Sequence, residues 1–362
     1  MLYYLLYPLR DVIVGFNVFR YITFRTAFAA LTALLISFIL GPWLIERMRR
    51  IKLGQFIREE GPKSHQQKAG TPTMGGILIN VAILIPTILW ADIFNPYIWI
   101  VLFVTFANGV IGFVDDYRKL AKKQNLGLTA KEKFTAQIVV ALLAGLAIAY
   151  LPSIHNNYST VLTLPFIKNF RPDLGWAYIP FIIVIIVGAS NAVNLTDGLD
   201  GLAIGSTLIA AVTYTVLTYA AGHFRIADYL RIAWVPQTGE LAVFCGAMVG
   251  ASLGFLWFNA HPAEIFMGDV GSLALGGAIG CLAVMIKQEI LLIFVGGLFV
   301  LEALSVIIQV ISFKTTGRRV FKMSPIHHHF ELSGWRETKV VVRFWIIAII
   351  FALLSLATLK LR

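Results

Sequence analysis

Two adjacent carboxylates, Asp115 and Asp116, close an apolar stretch and open a run of cations, Arg118, Lys119, Lys122 and Lys123, in "GVIGFVDDYRKLAKK". The same arrangement of acids beside apolar sequence recurs with Asp197 and Asp200 in "NAVNLTDGLDGLA" and with Asp269 in "FNAHPAEIFMGDVGS". Five of the nine Asp sit in these three clusters, far more than chance solvation of loops requires. A carboxylate near hydrocarbon costs on the order of 2.5 to 3.5 kcal/mol at mid-depth and less at the rim. Neighbouring acids also repel and raise one another's proton affinity unless a cation intervenes. Hard oxygen ligands without a surrounding His–Cys pattern point to Mg²⁺ or Mn²⁺, and Mg²⁺ typically takes one or two carboxylates together with substrate phosphates. A single Asp reads more simply as a helix cap; three clusters on one face favour the metal.

Spacing within the second cluster supports this reading. Asn191, Asn194 and Asp197 follow at i, i+3, so a helix continuing through them would carry them on one stripe, which Asp200 extends. Gly198, Gly201 and Gly205 permit a turn or a close backbone approach to a ligand. A different chemistry lies in "MSPIHHHFELSGW", where His327, His328 and His329 could donate to phosphate oxygens or carry a proton near neutral pH. Consecutive residues cannot all face one zinc ion, and no Cys lies near them. Lys68, Lys131 and Lys133 could meet an anionic headgroup or a nucleotide, although attraction to anionic lipid accounts equally well for most of the other cations.

The elements that must hold these groups are membrane helices. Of 362 residues, 58% are hydrophobic and only 14% charged, which excludes an ordinary soluble domain. A bilayer core needs roughly 20 apolar residues per helix. Such stretches predict an all-α bundle of ten spans, at about 22–45, 75–91, 97–114, 134–151, 177–193, 203–221, 241–258, 272–286, 290–313 and 344–361. The loops after the first, third and ninth spans hold seven, six and seven cations, twenty of the 30 Lys and Arg. The positive-inside bias therefore predicts cytoplasmic odd-numbered loops (46–74, 115–133, 194–202, 259–271 and 314–343) and two periplasmic termini. Arg10, Arg20 and Arg25 are discordant with that assignment.

Residues 1–21 are aromatic and amphipathic and predict an interfacial helix, since no small-residue cleavage site follows them. Cys245 and Cys281 fall inside predicted spans and read as packing residues. No polar segment is long enough for a soluble domain, so residues 1–362 form one polytopic unit. The net charge of +11 is mostly topogenic and gives no argument for nucleic acid.

Taken together, "GTPTMGG", "GFVDDYRK", "NAVNLTDGLDGLA", "GFLWFNAHPAEIFMGDVGSLALGG" and "PIHHHFE" resemble the phospho-N-acetylmuramoyl-pentapeptide transferases of bacterial peptidoglycan synthesis. The similarity runs from "YITFRTAFAALTALLISF" to the closing "LATLKLR". The resemblance implies a ten-helix inner-membrane enzyme that uses Mg²⁺. Its substrates would be UDP-N-acetylmuramoyl-pentapeptide and undecaprenyl phosphate, its products UMP and the first lipid-linked cell-wall precursor, and a homodimer is compatible with it. Carried over by motif, Asp269 would be the magnesium ligand and Asp115 the base acting on the lipid phosphate, supported by Asp116 and Asp197. Asn194 and Asn259 would line the nucleotide side and Phe266 would stack on uracil. His327, His328 and His329 would serve the substrate phosphates or sugar, and Lys68 and Lys133 the diphosphate.

Sister enzymes that transfer N-acetylglucosamine phosphate share the Asp clusters, and the three-histidine segment favours the muramoyl-pentapeptide substrate. A secondary transporter would place its acids near the midplane within inverted repeats, and no repeat is present. An intramembrane prenyltransferase would use Asp and Mg²⁺ but leaves Asp269 and the histidines without a role. Direct attack by the lipid phosphate and a covalent two-step route are both compatible with these residues.

Overall fold

A computed structural model describes residues 1–50, 70–121, 127–151, 159–165, 167 and 170–360. Among the described residues ten helices of 15 or more residues follow one another. They are α1 (Ile22–Arg50), α2 (Gly76–Trp90), α3 (Pro96–Ala121), α4 (Ala130–Tyr150) and α5 (Tyr178–Thr196). The chain continues through α6 (Leu202–Gly222), α7 (Leu241–Asn259), α8 (Gly268–Met285), α9 (Gly297–Thr316) and α10 (Glu337–Ala357). Among the described residues nine helices are long and apolar enough to cross a membrane, while α2, at 15 residues, falls short of that length. An isolated antiparallel bridge joins Val161 to Asp173.

Helix α8 is the axis of the bundle. Every residue from Val270 to Met285 is buried, and the run is dominated by Gly, Ala, Ser and Cys. In lipid the helices gain little from hydrophobicity alone, so small residues that let backbones close up provide the packing. Helices α3 and α5 make the most extensive contacts with α8, and α1 packs chiefly on α7. At Gly112 in α3 an added Cβ would fall 2.2 Å from the carbonyl oxygen of Asp269, so only glycine lets α3 lie against the start of α8.

Several expected boundaries move, each for a local reason. Asp115 and Asp116 lie inside α3, which runs on to Ala121 rather than ending before them, because Lys119 one turn later pairs with both acids. Asp269 stands in the first turn of α8, where a negative charge meets the positive end of the helix dipole. The fifth helix stops at Thr196, leaving Asn191 and Asn194 on the helix and Asp197 just past it. The ninth span is broken into Leu292–Val295 and α9, with Gly296 between them. The last span starts at Glu337, seven residues ahead of its apolar run, with an acid in its first turn.

Arg25, discordant as a topology signal, is buried and has a structural partner. Its guanidinium makes a two-pronged bond to Glu240, Nη1 to Oε2 at 2.7 Å and Nη2 to Oε1 at 2.5 Å, and also donates to the Trp90 carbonyl. The pair ties the start of α1 to the end of α2 and the entry to α7. The amino-terminal segment is helical in short pieces, Leu2–Leu6, Tyr7–Asp11 and Val14–Arg20, with Val12, Ile13 and Val14 exposed.

Gly112→Ala should force α3 away from α8 and cost about 1–3 kcal/mol through overpacking. The expected outcome is a lower apparent Tm of the detergent-solubilised protein together with reduced activity. An unchanged Tm would show that the two helices are not held at the distance described.

Candidate active site

The carboxyl ends of α3 and α5 and the amino ends of α4 and α8 meet at one end of the bundle, and they bring the three acid clusters together. Asp115, Asp116 and Asp269 each offer one oxygen within 4.8 Å of the others, a grouping fit for a metal ion. Their remaining oxygens are held by the walls. Asp115 Oδ1 accepts the Leu128 N–H at 2.7 Å, and Asp116 Oδ2 accepts the Val270 N–H at 3.3 Å, capping α8 from α3. Asp269 Oδ1 accepts the Asn194 amide at 2.8 Å, and that amide also donates to Ser272.

The inward oxygens all face a lysine that sequence reasoning left in the background. Lys119 Nζ lies 2.6 Å from Asp115 Oδ2, 3.4 Å from Asp116 Oδ1 and 3.2 Å from Asp269 Oδ2. Its spacing of four and three residues from the two acids was the available signal. Lys133 reaches Asp269 Oδ2 at 2.7 Å. A capping box between Thr129 and Glu132 fixes the first turn of α4 that carries Lys133.

Gly268, at φ +69°, turns the chain into α8 where a Cβ would lie 2.5 Å from Asp116 Oδ2. Its N–H bonds to Asp197, whose carboxyl is pushed from its ordinary 3.8 up to about 8 by burial and by the charges of Asp269, Asp116 and Asp200. A divalent cation among these acids would oppose that shift.

Of the other expected site residues, Phe266 is half-buried and its backbone pairs with the segment leading into α2: its N–H donates to Pro72 and its carbonyl accepts from Gly75. Asn259 spends its side chain on two loops, accepting from the Gly201 N–H and donating to the Ile265 carbonyl. It therefore ties the Gly201 turn to the loop before α8. Lys68 lies outside the described residues.

The histidines are held within protein. His327 is fully buried in the short helix Ile326–Glu331, its ring against Gly198 and its Nδ1 3.1 Å from the buried Glu302 of α9. In this conformation it closes the wall behind the Asp197–Asp200 turn. Glu302 lies in an otherwise apolar stretch of α9. His328 pairs with Glu331 at 2.7 Å, and His329 accepts the Lys322 N–H.

A second group, Asp200, His261 and Glu337, draws the same loops together: His261 Nδ1 lies 3.1 Å from Asp200 Oδ2 and 3.7 Å from Glu337 Oε2. The Asp200 N–H donates to Glu337 and the Ala263 N–H to Asp200. Neither His261 nor Glu337 stood out in the sequence, since the one lies in the loop after α7 and the other among the charged residues that open α10.

Clustered carboxylates and lysines at the end of an apolar helical bundle define a membrane-embedded enzyme suited to phosphate-bearing substrates. The family model for "Glycosyl transferase family 4" matches residues 98–287, which hold Asp115, Asp116, Asp197 and Asp269. The first signature of phospho-N-acetylmuramoyl-pentapeptide-transferase matches residues 68–79. Relatives bearing that name are 59% identical in Koribacter versatilis, 61% in Desulfatibacillum aliphaticivorans and 56% in Syntrophus aciditrophicus, each over 100% of both chains. The chain belongs to the phospho-N-acetylmuramoyl-pentapeptide-transferase family.

Asp197 holds its proton in the fold up to about 8, whereas an unfolded chain releases it near 3.8. In metal-free protein the residue therefore costs increasing stability as pH rises through that interval. Asp197→Asn should raise the apparent Tm of EDTA-treated protein more at about pH 8.5 than at about pH 5. Equal shifts at both pH values would remove Asp197 from the electrostatic cluster.

Proposed function

We infer that the protein transfers phospho-N-acetylmuramoyl-pentapeptide from its UDP carrier to undecaprenyl phosphate, releasing UMP and forming the lipid-linked precursor of peptidoglycan. The observation that carries the site assignment is the convergence of three inward carboxylate oxygens, from Asp115, Asp116 and Asp269, on one point. It joins full-length likeness to transferases of that name.

The residues fit a divalent cation, because their inward oxygens already converge on a cation while their other oxygens are fixed by hydrogen bonds. Asp269, with Asp115 and Asp116 beside it, would hold Mg²⁺. When bound, the ion would neutralise the donor diphosphate and stabilise the departing phosphate of UMP.

The chain's own groups account for the rest. Asp115 accepts the proton of the lipid phosphate or orients its oxygen, which attacks the sugar-linked phosphorus; the bond from that phosphorus to the bridging oxygen breaks and UMP leaves. Lys133, fixed by the α4 cap, meets diphosphate charge. Asn194 keeps the Asp269 carboxylate oriented. Phe266 supplies a stacking face for uracil. His327 holds the Gly198 turn from behind, and His328 and His329 order the loop beside it.

The twenty cations of the first, third and ninth loops support a cytoplasmic site in a bacterial inner membrane, with ten crossings if α2 spans and both termini periplasmic. Donor and acceptor then meet at the water boundary, the soluble nucleotide from one side and the lipid phosphate from the bilayer.

Purified protein supplied with UDP-N-acetylmuramoyl-pentapeptide and undecaprenyl phosphate should release UMP and form the lipid-linked product, and EDTA should stop both. Consumption of UDP-N-acetylglucosamine instead would reassign the substrate. Asp269→Asn should reduce turnover to background in a folded, inserted protein, whereas near-native turnover would refute the metal assignment. Asp115→Asn should lower kcat by roughly 10² to 10⁴, the range of a lost general base, and a mere halving would place the base elsewhere.

A further inference from the structure

Lys119 occupies the point at which the reading above places the divalent cation. The three inward oxygens lie 2.6, 3.4 and 3.2 Å from its Nζ, and each belongs to a carboxylate whose second oxygen is bound to Leu128 N–H, Val270 N–H or Asn194. The cage is thus built from its walls inward, and its centre is filled by an ammonium. We propose that Lys119 is a displaceable counter-ion: its ammonium and the divalent cation hold the same three-oxygen cage in alternation, and metal binding drives Lys119 out toward the rim.

Size and charge both require the alternation. A Mg²⁺ ion sits about 2.0–2.1 Å from its oxygen ligands, so an ion on these oxygens would stand where the nitrogen now is. With Lys119 and Lys133 engaged, three carboxylates retain one net negative charge. Exchange of the Lys119 ammonium for a divalent ion leaves the cage neutral, whereas keeping both would leave it positive and self-repelling.

The side chain is suited to leaving. Lysine carries a compact, strongly hydrated charge on a flexible stem, unlike the rigid fork of arginine. Lys119 is 33% exposed while the three carboxylates are 4%, 6% and 16% exposed, so its stem has a path to water that they lack. Without the Lys119 ammonium only Lys133 would offset the three carboxylates, and their mutual repulsion would rise. Lys119 thereby keeps the cage shaped in the metal-free protein, at the cost of weaker metal binding. The apparent affinity falls by the fraction of time the cage is free. Displacement also delivers a positive charge to the rim as the metal enters, where an anionic diphosphate would meet it.

The proposal rests on the metal reading, and Mn²⁺ binding without substrate separates the two. In electron paramagnetic resonance titrations of the full-length protein, Lys119→Gln should bind Mn²⁺ roughly 10-fold more tightly than the native chain, because the competitor is gone. Arg118→Gln removes the same charge one residue away, from a guanidinium paired with Glu132 at 3.3 Å, and should shift affinity by less than about 3-fold as a screened surface charge. Equal shifts in the two variants, or weaker binding in Lys119→Gln, would overturn the proposal while leaving the metal reading intact. Absence of Mn²⁺ binding from the native chain and from both variants would overturn both. A measurement on the unmutated protein guards against a misfolded variant: acylation of Lys119, read by mass spectrometry, should increase when Mg²⁺ is added. Protection or no change would refute displacement.

Discussion

The site depends on the contact of α3 with the amino end of α8. Asp115 and Asp116 are carried by one helix and Asp269 by the other, so the distance between the two backbones sets the distance between the carboxylates. Gly112 sets that approach from α3, and Asp116 then reaches across to cap Val270 N–H. A helix end buried without a partner would be costly in a membrane protein, where no water is at hand to satisfy it. Here the bond that satisfies the α8 amino end also aims the acid. Packing, capping and ligand geometry are therefore one arrangement, and changing any of them changes the others.

The same economy governs the remaining buried charges. Arg25 would be prohibitive alone, but its planar fork meets both oxygens of Glu240. Beyond the end of α8, Lys287 donates to the Ser159 carbonyl at 2.9 Å and to Tyr178 Oη at 2.6 Å, with Glu289 3.9 Å away. Both pairs use a buried charge to fasten segments distant in the chain, Glu240 to Arg25 and Lys287 to the loop before α5. Their role differs from that of Lys119 because neither has an open path to solvent: Arg25 and Lys287 are 3% and 2% exposed. A charge that must stay is enclosed, and a charge that must move is left a route out.

Apolar runs located the helices, since the ten expected stretches overlap α1 to α10, nine of them long and apolar enough to cross a membrane among the described residues. The Asp clusters also stood out, because acids beside hydrocarbon need a reason. What sequence could not supply was which oxygen of each acid faces inward. That depends on backbone groups such as Leu128 N–H and Val270 N–H, which carry no side-chain signature. Helix ends were misplaced wherever polar residues continued a helix past its apolar window, as at Asp115 to Ala121 and at Glu337. The three histidines read as groups for phosphate or proton handling, and nothing in their spacing signals that His327 is buried 3.1 Å from Glu302, an acid of a helix distant in sequence. Lys119 was visible as one cation among several, and only the fold distinguishes it from Arg118 beside it. Arg118 turns to Glu132 on the surface while Lys119 turns inward.

Rigid walls and a movable cation solve opposing demands on a phosphate-transferring site. Carboxylates must be held within a fraction of an ångström to select a hard cation, and this requires that their second oxygens be tied down. Such a cage without any cation would repel itself, so a metal-free protein built only from acids would open before a metal arrived. A permanent counter-ion would prevent that but would also exclude the metal. A lysine on a flexible stem at the rim meets both demands, since it neutralises the cage when the ion is absent and withdraws when the ion is present. The neighbouring loops must not follow it. Asn259 clamps Gly201 to Ile265, and Asp200 joins Ala263 to the start of α10, so the backbone around the cage is braced from three helices while Lys119 remains free to leave.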